Sequence, residues 1–304
     1  MSMPTPGDHD AMEKPLFDEQ FLRRLEKFSF LVNKAMLGGL AGEHRSVHKG
    51  FSSDFADYRA YTHGDDFRRI DWSIYGRLER IVVKLTEAKE SLTVHLLLDC
   101  SRSMDWGDPN KLRYAKRVAA ALGYIALARA DAVTVSCLGD GLYQQMPLQR
   151  GKLQLLRFLR FLEHAAAAGR TDLEASSIAF LDRQRQPGLV VLISDLLSPG
   201  GYEAPLKHLL SRNHDLLVVH LLAPTESTPD FSGDLTLVDS ETGQSVEVTI
   251  NDDLLRQYTA RLQEWTEEIE RFCERRGITY LQIDTSWPLE SSLLTYLHQR
   301  RVIQ

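Results

Sequence analysis

Leu92-Thr93-Val94-His95-Leu96-Leu97-Leu98-Asp99-Cys100-Ser101-Arg102-Ser103-Met104 is the stretch on which the reading turns. The apolar run Leu92–Leu98 reads as a strand. It stops on Asp99, and Ser101 and Ser103 follow at every second position, so three oxygen-bearing side chains crowd the point where the strand ends. Open parallel sheets bind their ligands beyond the carboxyl ends of strands, which makes this point the candidate site as well as a landmark of the fold.

Downstream the chain keeps a strand-then-helix rhythm, the signature of an α/β fold. An amphipathic helix is expected after the loop Asp99–Asn110, running to about Arg129 with Leu112, Ala115, Ala119, Leu122, Ile125 and Ala126 on one face. Strand Ala132–Leu138 follows, and the turn Gly139-Asp140-Gly141 folds the chain back into Leu142–Leu148 as an antiparallel edge. Next come helix Lys152–His164, an alanine-rich stretch to Gly169, helix Leu173–Arg185, and strand Leu189–Ser194, apolar on both faces as a central parallel strand should be. Strand Leu216–Leu222, a hairpin of Leu235–Val238 and Val246–Ile250 about Thr242-Gly243, helix Asp252–Arg276, strand Thr279–Ile283 and helix Leu289–Arg300 complete the series. The expected architecture is a doubly wound, mostly parallel sheet with helices on both faces, spanning 92–304.

Upstream, residues 1–15 are polar and aperiodic and read as a loose tail. Residues 16–91 read as an arm: Leu22, Leu25, Phe28, Leu31, Val32 and Ala35 recur at helical spacing up to Gly38-Gly39, and a mixed, charged stretch leads to the alternating strand Ile81–Glu87. The arm has no evident core of its own and is expected to pack on the main domain.

Composition narrows the function classes. Hydrophobic residues make up 43% of the chain, enough for a buried core. Lys and Arg number 36 against 42 Asp and Glu, a formal charge of −6, and the signs are interleaved, which argues against a phosphate-backbone surface and so against nucleic acid as partner. Cys100, Cys137 and Cys273 are odd in number and far apart, which points to reduced thiols and a cytoplasmic setting. No export signal is read at the start, and the longest apolar runs fall short of a bilayer, so no direct membrane insertion is expected.

Two further donors belong at the same rim. Thr171 follows Gly169-Arg170 ahead of a helix, and Asp195 follows strand Leu189–Ser194. Asp99, Ser101, Ser103, Thr171 and Asp195 together offer hydroxyl and carboxylate oxygens from three loops, a set suited to a hard cation, with Mg²⁺ expected and Mn²⁺ or Ca²⁺ as alternatives. The plainer reading of each residue is a helix cap or a strand-end acid.

In order and placement these five residues resemble the metal-ion-dependent adhesion site of von Willebrand factor A-like domains. That resemblance implies that Ser101 and Ser103 hold the cation directly, that Asp99, Thr171 and Asp195 hold it directly or through water, and that a vacant position takes a carboxylate from a protein partner. Upstream, Arg59-Ala60-Tyr61, Gly64-Asp65-Asp66, Arg69-Ile70-Asp71-Trp72 and Val83-Lys84 resemble the bacterial "domain of unknown function 58" family from about Gly42 to the C-terminus. Where that family usually has a small residue, Arg, Thr and Gly, this chain reads Tyr75-Gly76-Arg77-Leu78, and it lacks the hydrophobic N-terminal spans of many members. The resemblance implies an adaptor working with a MoxR-type AAA+ ATPase in assembling or activating other proteins. The chain has no Gly-x-x-x-x-Gly-Lys-Ser/Thr loop of its own, so any such work draws its energy from the partner.

Rival readings are weaker. An Asp nucleophile of a metal-dependent phosphohydrolase needs a second acid two residues on, where this chain has Ser101. A serine hydrolase lacks its Gly-x-Ser-x-Gly elbow, and His44 and His48 enclose no Glu as a zinc protease requires. No catalysis is expected, and a scaffold with an empty metal site is the other alternative. Arg59, Tyr61, Gly64, Asp65, Asp66, Arg69, Asp71 and Trp72 form either a partner-binding surface or a structural clamp. The apolar stripe of helix Asp252–Arg276, from Leu254 to Phe272, is read as core packing.

Overall fold

Ser53–Ala60 (β1) and Val82–Ala88 (β2) pair antiparallel, from Ser53 opposite Ala88 to Ala60 opposite Val82, with a short helix, Trp72–Leu78 (α1), between them. The computed structural model describes residues 23, 25, 53–62, 65, 67, 70–88, 92–289 and 295. The chain divides into two units, Leu37–Ser91, which holds this ribbon, and Met1–Met36 with Leu92–Gln304. The sequence points to β2 by its alternation but not to β1, whose residues SDFADYRA are half polar and charged; β1 is a strand because β2 supplies its hydrogen bonds. The Asp71 carboxylate starts α1 by accepting from the Ser73 and Ile74 amides, and Glu79, in the left-handed region at φ 51°, ends it.

In the larger unit, Thr93–Asp99 (β3) leads through a 3₁₀ turn, Arg102–Met104, to the helix Lys111–Ala128 (α2). Ala132–Leu138 (β4) and Leu142–Arg150 (β5) form the expected hairpin. After them come Leu155–His164 (α3), Leu173–Arg183 (α4), Leu189–Ser194 (β6), Glu203–Leu210 (α5), Asp215–Leu222 (β7), the single turn Pro224–Ser227 (α6), the ribbon Gly233–Val238 (β8) with Ser245–Ile250 (β9), the long helix Asp252–Glu274 (α7) and Thr279–Asp284 (β10). The sheet order is β10-β7-β6-β3-β4-β5, parallel throughout except for β5 at one edge.

The period of two along the strands sorts the core into two layers. Val94, Leu96 and Leu98 of β3, Val191 and Ile193 of β6, and Val219 and Leu221 of β7 belong to one apolar cluster with α2 and α3. Leu97, Val190, Leu192, Leu216 and Val218 belong to the other, with Phe180 of α4, Leu206 and Leu209 of α5, and Ile269 and Phe272 of α7. This is a mixed α/β fold with helices on both faces of a mostly parallel sheet. Gly123 of α2 admits α3, since a Cβ there would lie 2.1 Å from the Phe158 ring. Leu25 is fully buried in the first layer.

Besides β1, α1 and α6, which the sequence reading did not include, three further points differ from it. Lys152–Gln154 is a 3₁₀ turn that precedes α3. α5 was not expected; its proline, Pro205, stands in the first turn, where its missing N–H leaves no hydrogen bond unmade. α7 packs through its second half, with Ile269, Phe272 and Cys273 buried, whereas Leu254 and Tyr258 near its start are exposed. The arm helix apart from Arg23 and Leu25, the residues His44, His48, Gly64, Asp66 and Arg69, and the last helix apart from Leu289 and Thr295 lie outside the described residues. Among the described residues no helix is long and apolar enough to cross a membrane.

Strand order also fixes where a ligand belongs. From β3 the chain moves to β4 on one side, and from β6 it moves to β7 on the other, so the sheet's topological switch point lies between β3 and β6. Crevices form at such points, outside the carboxyl ends of the strands. Those two ends carry Asp99 and Asp195.

Candidate functional site

Asp99 is fully buried, and its two oxygens are held apart: Oδ1 accepts the Ser101 amide at 3.0 Å and Oδ2 accepts the Ser194 hydroxyl at 2.5 Å. The first bond folds the chain back as it leaves β3 and stacks the hydroxyls of Ser101 and Ser103 at 3.0 Å. Ser101 is buried and Ser103 half-buried, so the pair opens outward. Burial, then the nearby charge of Asp195, push the Asp99 carboxyl up to about 6.

Asp195 is equally buried but differently met. Its Oδ1 accepts the Leu197 amide at 3.1 Å, and its Oδ2 lies 2.8 Å from the Lys111 ammonium. Lys111, the first residue of α2, is itself fully buried, and its Nζ reaches the Glu226 Oε1 of α6 at 2.5 Å. Burial works against the ammonium, but the carboxylates of Asp195 and Glu226 outweigh it and hold the lysine above its ordinary value. Glu226 is anchored in turn through Oε2, which accepts the Ala223 amide at 2.7 Å.

The third loop is tied to the first by its backbone. The Ala168 amide donates to the Cys100 carbonyl at 2.7 Å and the Arg102 amide to the Gly169 carbonyl at 3.4 Å. Gly169 has φ 72° and lies against the Asp140 carboxylate, which accepts the Arg170 amide; a side chain at 169 would meet both strain and crowding. Thr171, next along, is buried on the same rim. Its hydroxyl donates to Glu241 Oε1 at 2.6 Å and its amide to Glu241 Oε2 at 3.1 Å.

The five candidate residues thus stand on three loops at one edge of one sheet. Among the described residues no three of His, Cys, Asp and Glu converge as a metal-holding group. The oxygens available are hydroxyls plus two carboxylates, of which Asp195 is shared with Lys111 while Asp99 is met by neutral groups of Ser194 and Ser101. Such a set suits a hard cation that keeps some of its waters, and the uncompensated charge at Asp99 is what a cation would relieve. Lys111, Ser194, Glu226 and Glu241 are not among the site residues that the sequence points to. Lys111 reads as an ordinary helix-start lysine, and its partners lie 84 and 115 residues away.

Among the described residues of the smaller unit, the charged groups of Arg59, Asp65 and Asp71 are met from within the unit. Arg59 bonds to Asp65 at 2.7 Å and to the Thr62 hydroxyl at 3.0 Å. Asp65 also accepts the Thr62 amide, which leads in holding its carboxyl below the ordinary value. Tyr58 donates to Asp71 at 3.1 Å. Tyr61 is half-buried, while Trp72 is 61% exposed with its ring edge-on to Tyr75.

Comparison with known proteins matches the family described as "Protein of unknown function DUF58" to residues 57–268. An uncharacterized protein of Mycobacterium tuberculosis (strain H37Rv) is 25% identical over 289 residues, covering 93% of this chain and 91% of that protein. An uncharacterized protein of Mycobacterium avium is 28% identical over 148 residues, 48% of this chain and 86% of its own length. Among solved structures, the conserved hypothetical protein BatB of Bacteroides thetaiotaomicron aligns at 17% identity and a TM-score of 0.43, covering 69% of this chain and 98% of that one. An aerotolerance-related membrane protein of Bacteroides fragilis aligns with the same identity and score, over 69% of this chain and 100% of its own.

Proposed function

For this chain, which belongs to the DUF58 family of proteins of unknown function, we propose the role of a protein-binding adaptor that grips its partner through a divalent cation. The fold is read as von Willebrand factor A-like, and the cation, Mg²⁺ first, is assigned to Asp99, Ser101, Ser103, Thr171 and Asp195. The observation that carries the reading is the placement of these residues on three loops along one rim of the sheet, with Asp99 and Asp195 at the strand ends that flank its switch point and Asp99 fully buried. The bound cation supplies one thing, a Lewis-acidic position for an acidic side chain of the partner.

The chain's own residues do the rest. Asp99 orients Ser101 through its amide, Ser194 fixes the second oxygen of Asp99, and Lys111 holds Asp195 in place while cancelling part of the negative charge. The role assigned to this arrangement is binding, with no reaction. The partner is taken to be a MoxR-type AAA+ ATPase or its client, met in the cytoplasm.

Calorimetric titration of Mg²⁺ into the wild type and into Asp99→Ala tests the reading, followed by capture of partners from lysate with and without chelator. Saturable binding lost in Asp99→Ala, with capture lost on chelation, is the expected result. Absence of binding by the wild type, or capture indifferent to chelator, sinks it.

A further inference from the structure

The turn that joins β8 to β9 is built to aim one side chain. Asp239 Oδ1 accepts the amides of Glu241 and Thr242, both at 2.8 Å, while the Asp239 amide reaches the Gln244 carbonyl and the Gly243 amide reaches the Asp239 carbonyl, again at 2.8 Å each. Gly243 takes the left-handed backbone, φ 71°, that closes the turn. The backbone of Glu241 is therefore fixed, and its carboxylate spans both donors of Thr171. The charge of Arg170 adds, after the Thr242 and Glu241 amides and the Thr242 side chain, to keeping the Asp239 carboxyl below its ordinary value.

Behind the tip the ribbon stands apart from the main sheet. Among the described residues β8 and β9 pair only with each other, and Leu237, Val238 and Val246 are exposed. A two-stranded ribbon alone is marginal in water, so a fixed tip contact is the feature that needs a reason. The tip ends on one of the five residues assigned to the cation.

We propose that Glu241 is a tethered stand-in for the partner's carboxylate. In the isolated chain it covers the Thr171 side of the cation site from the hairpin tip, and an acidic partner binds by displacing it. The inference rests on the cation reading above and deepens it by naming the group the partner must replace. A tethered carboxylate acts at an effective concentration in roughly the millimolar range or higher, so it shuts out free monocarboxylates while yielding to a protein that adds other contacts.

The test uses the full chain, Mn²⁺ and sodium acetate, with water-proton relaxation as readout, on the wild type and Glu241→Gln. The substitution keeps size at a half-buried residue of an otherwise exposed turn, and thermal unfolding checks that the fold is retained. In Glu241→Gln the bound Mn²⁺ is expected to carry about one more exchangeable water, because the neutral amide oxygen competes less well with solvent for the cation than the carboxylate does. Acetate should displace that water at a concentration about tenfold lower than in the wild type. Equal hydration and equal acetate response in the two proteins overturn the proposal and leave the cation reading standing. Failure of both proteins to bind Mn²⁺ removes the cation reading and this inference with it.

Discussion

In the unit Leu37–Ser91, Asp65 and Asp71 find their partners close by in sequence: Thr62 and Arg59 for the first, Ser73, Ile74 and Tyr58 for the second. At the rim of the large sheet, Asp99 and Asp195 are met from afar, by Ser194 at a separation of 95 residues and Lys111 at 84. The first arrangement assembles with its own turn; the second exists only once strands and helices have closed over it. A buried ion pair is often no better for stability than apolar residues of the same shape, so stability alone is a poor reason to keep one at a strand end. The local acids hold a turn together, and the remote ones are held ready.

Lys111→Met presses hardest on this contrast. It leaves Asp195 and Glu226 buried without their shared ammonium and should cost about 3–5 kcal/mol by urea unfolding, with part of the loss recovered in Mg²⁺. A loss below about 1 kcal/mol would mean that water already reaches these carboxylates. Asp71→Ala removes a helix cap and should cost about 1 kcal/mol, read as faster hydrogen exchange at the α1 amides with those of α2 unchanged. Arg59→Ala breaks an exposed pair and should leave the unfolding midpoint where it was. If it destabilised the chain as much as Lys111→Met, the distinction between the two clusters would collapse.

The strands are legible because burial writes itself into composition: Ala132–Leu138 and Leu189–Ser194 match to the residue and Leu216–Leu222 to within one, since strands buried on both faces are apolar at most positions. The position of Asp99, Thr171 and Asp195 at strand and loop ends was legible for the same reason. Their neighbours were not. Lys111 and Glu226 look like any charged residues at helix starts, and only the crossing from β6 to β7 brings the second beside the first. Glu241 sits in a turn whose residues announce a hairpin without saying what its tip touches. β1 escaped because its partner, not its own sequence, makes it a strand.

α2 starts on Lys111 and runs 18 residues, about 27 Å, through the first apolar layer. Its opening ammonium is therefore bolted to the strand tips while its body is wedged under the sheet. The charge that meets the strand tips and the apolar face that fills the first layer thus belong to one helix, so the packing of its body is what fixes the ammonium at the rim.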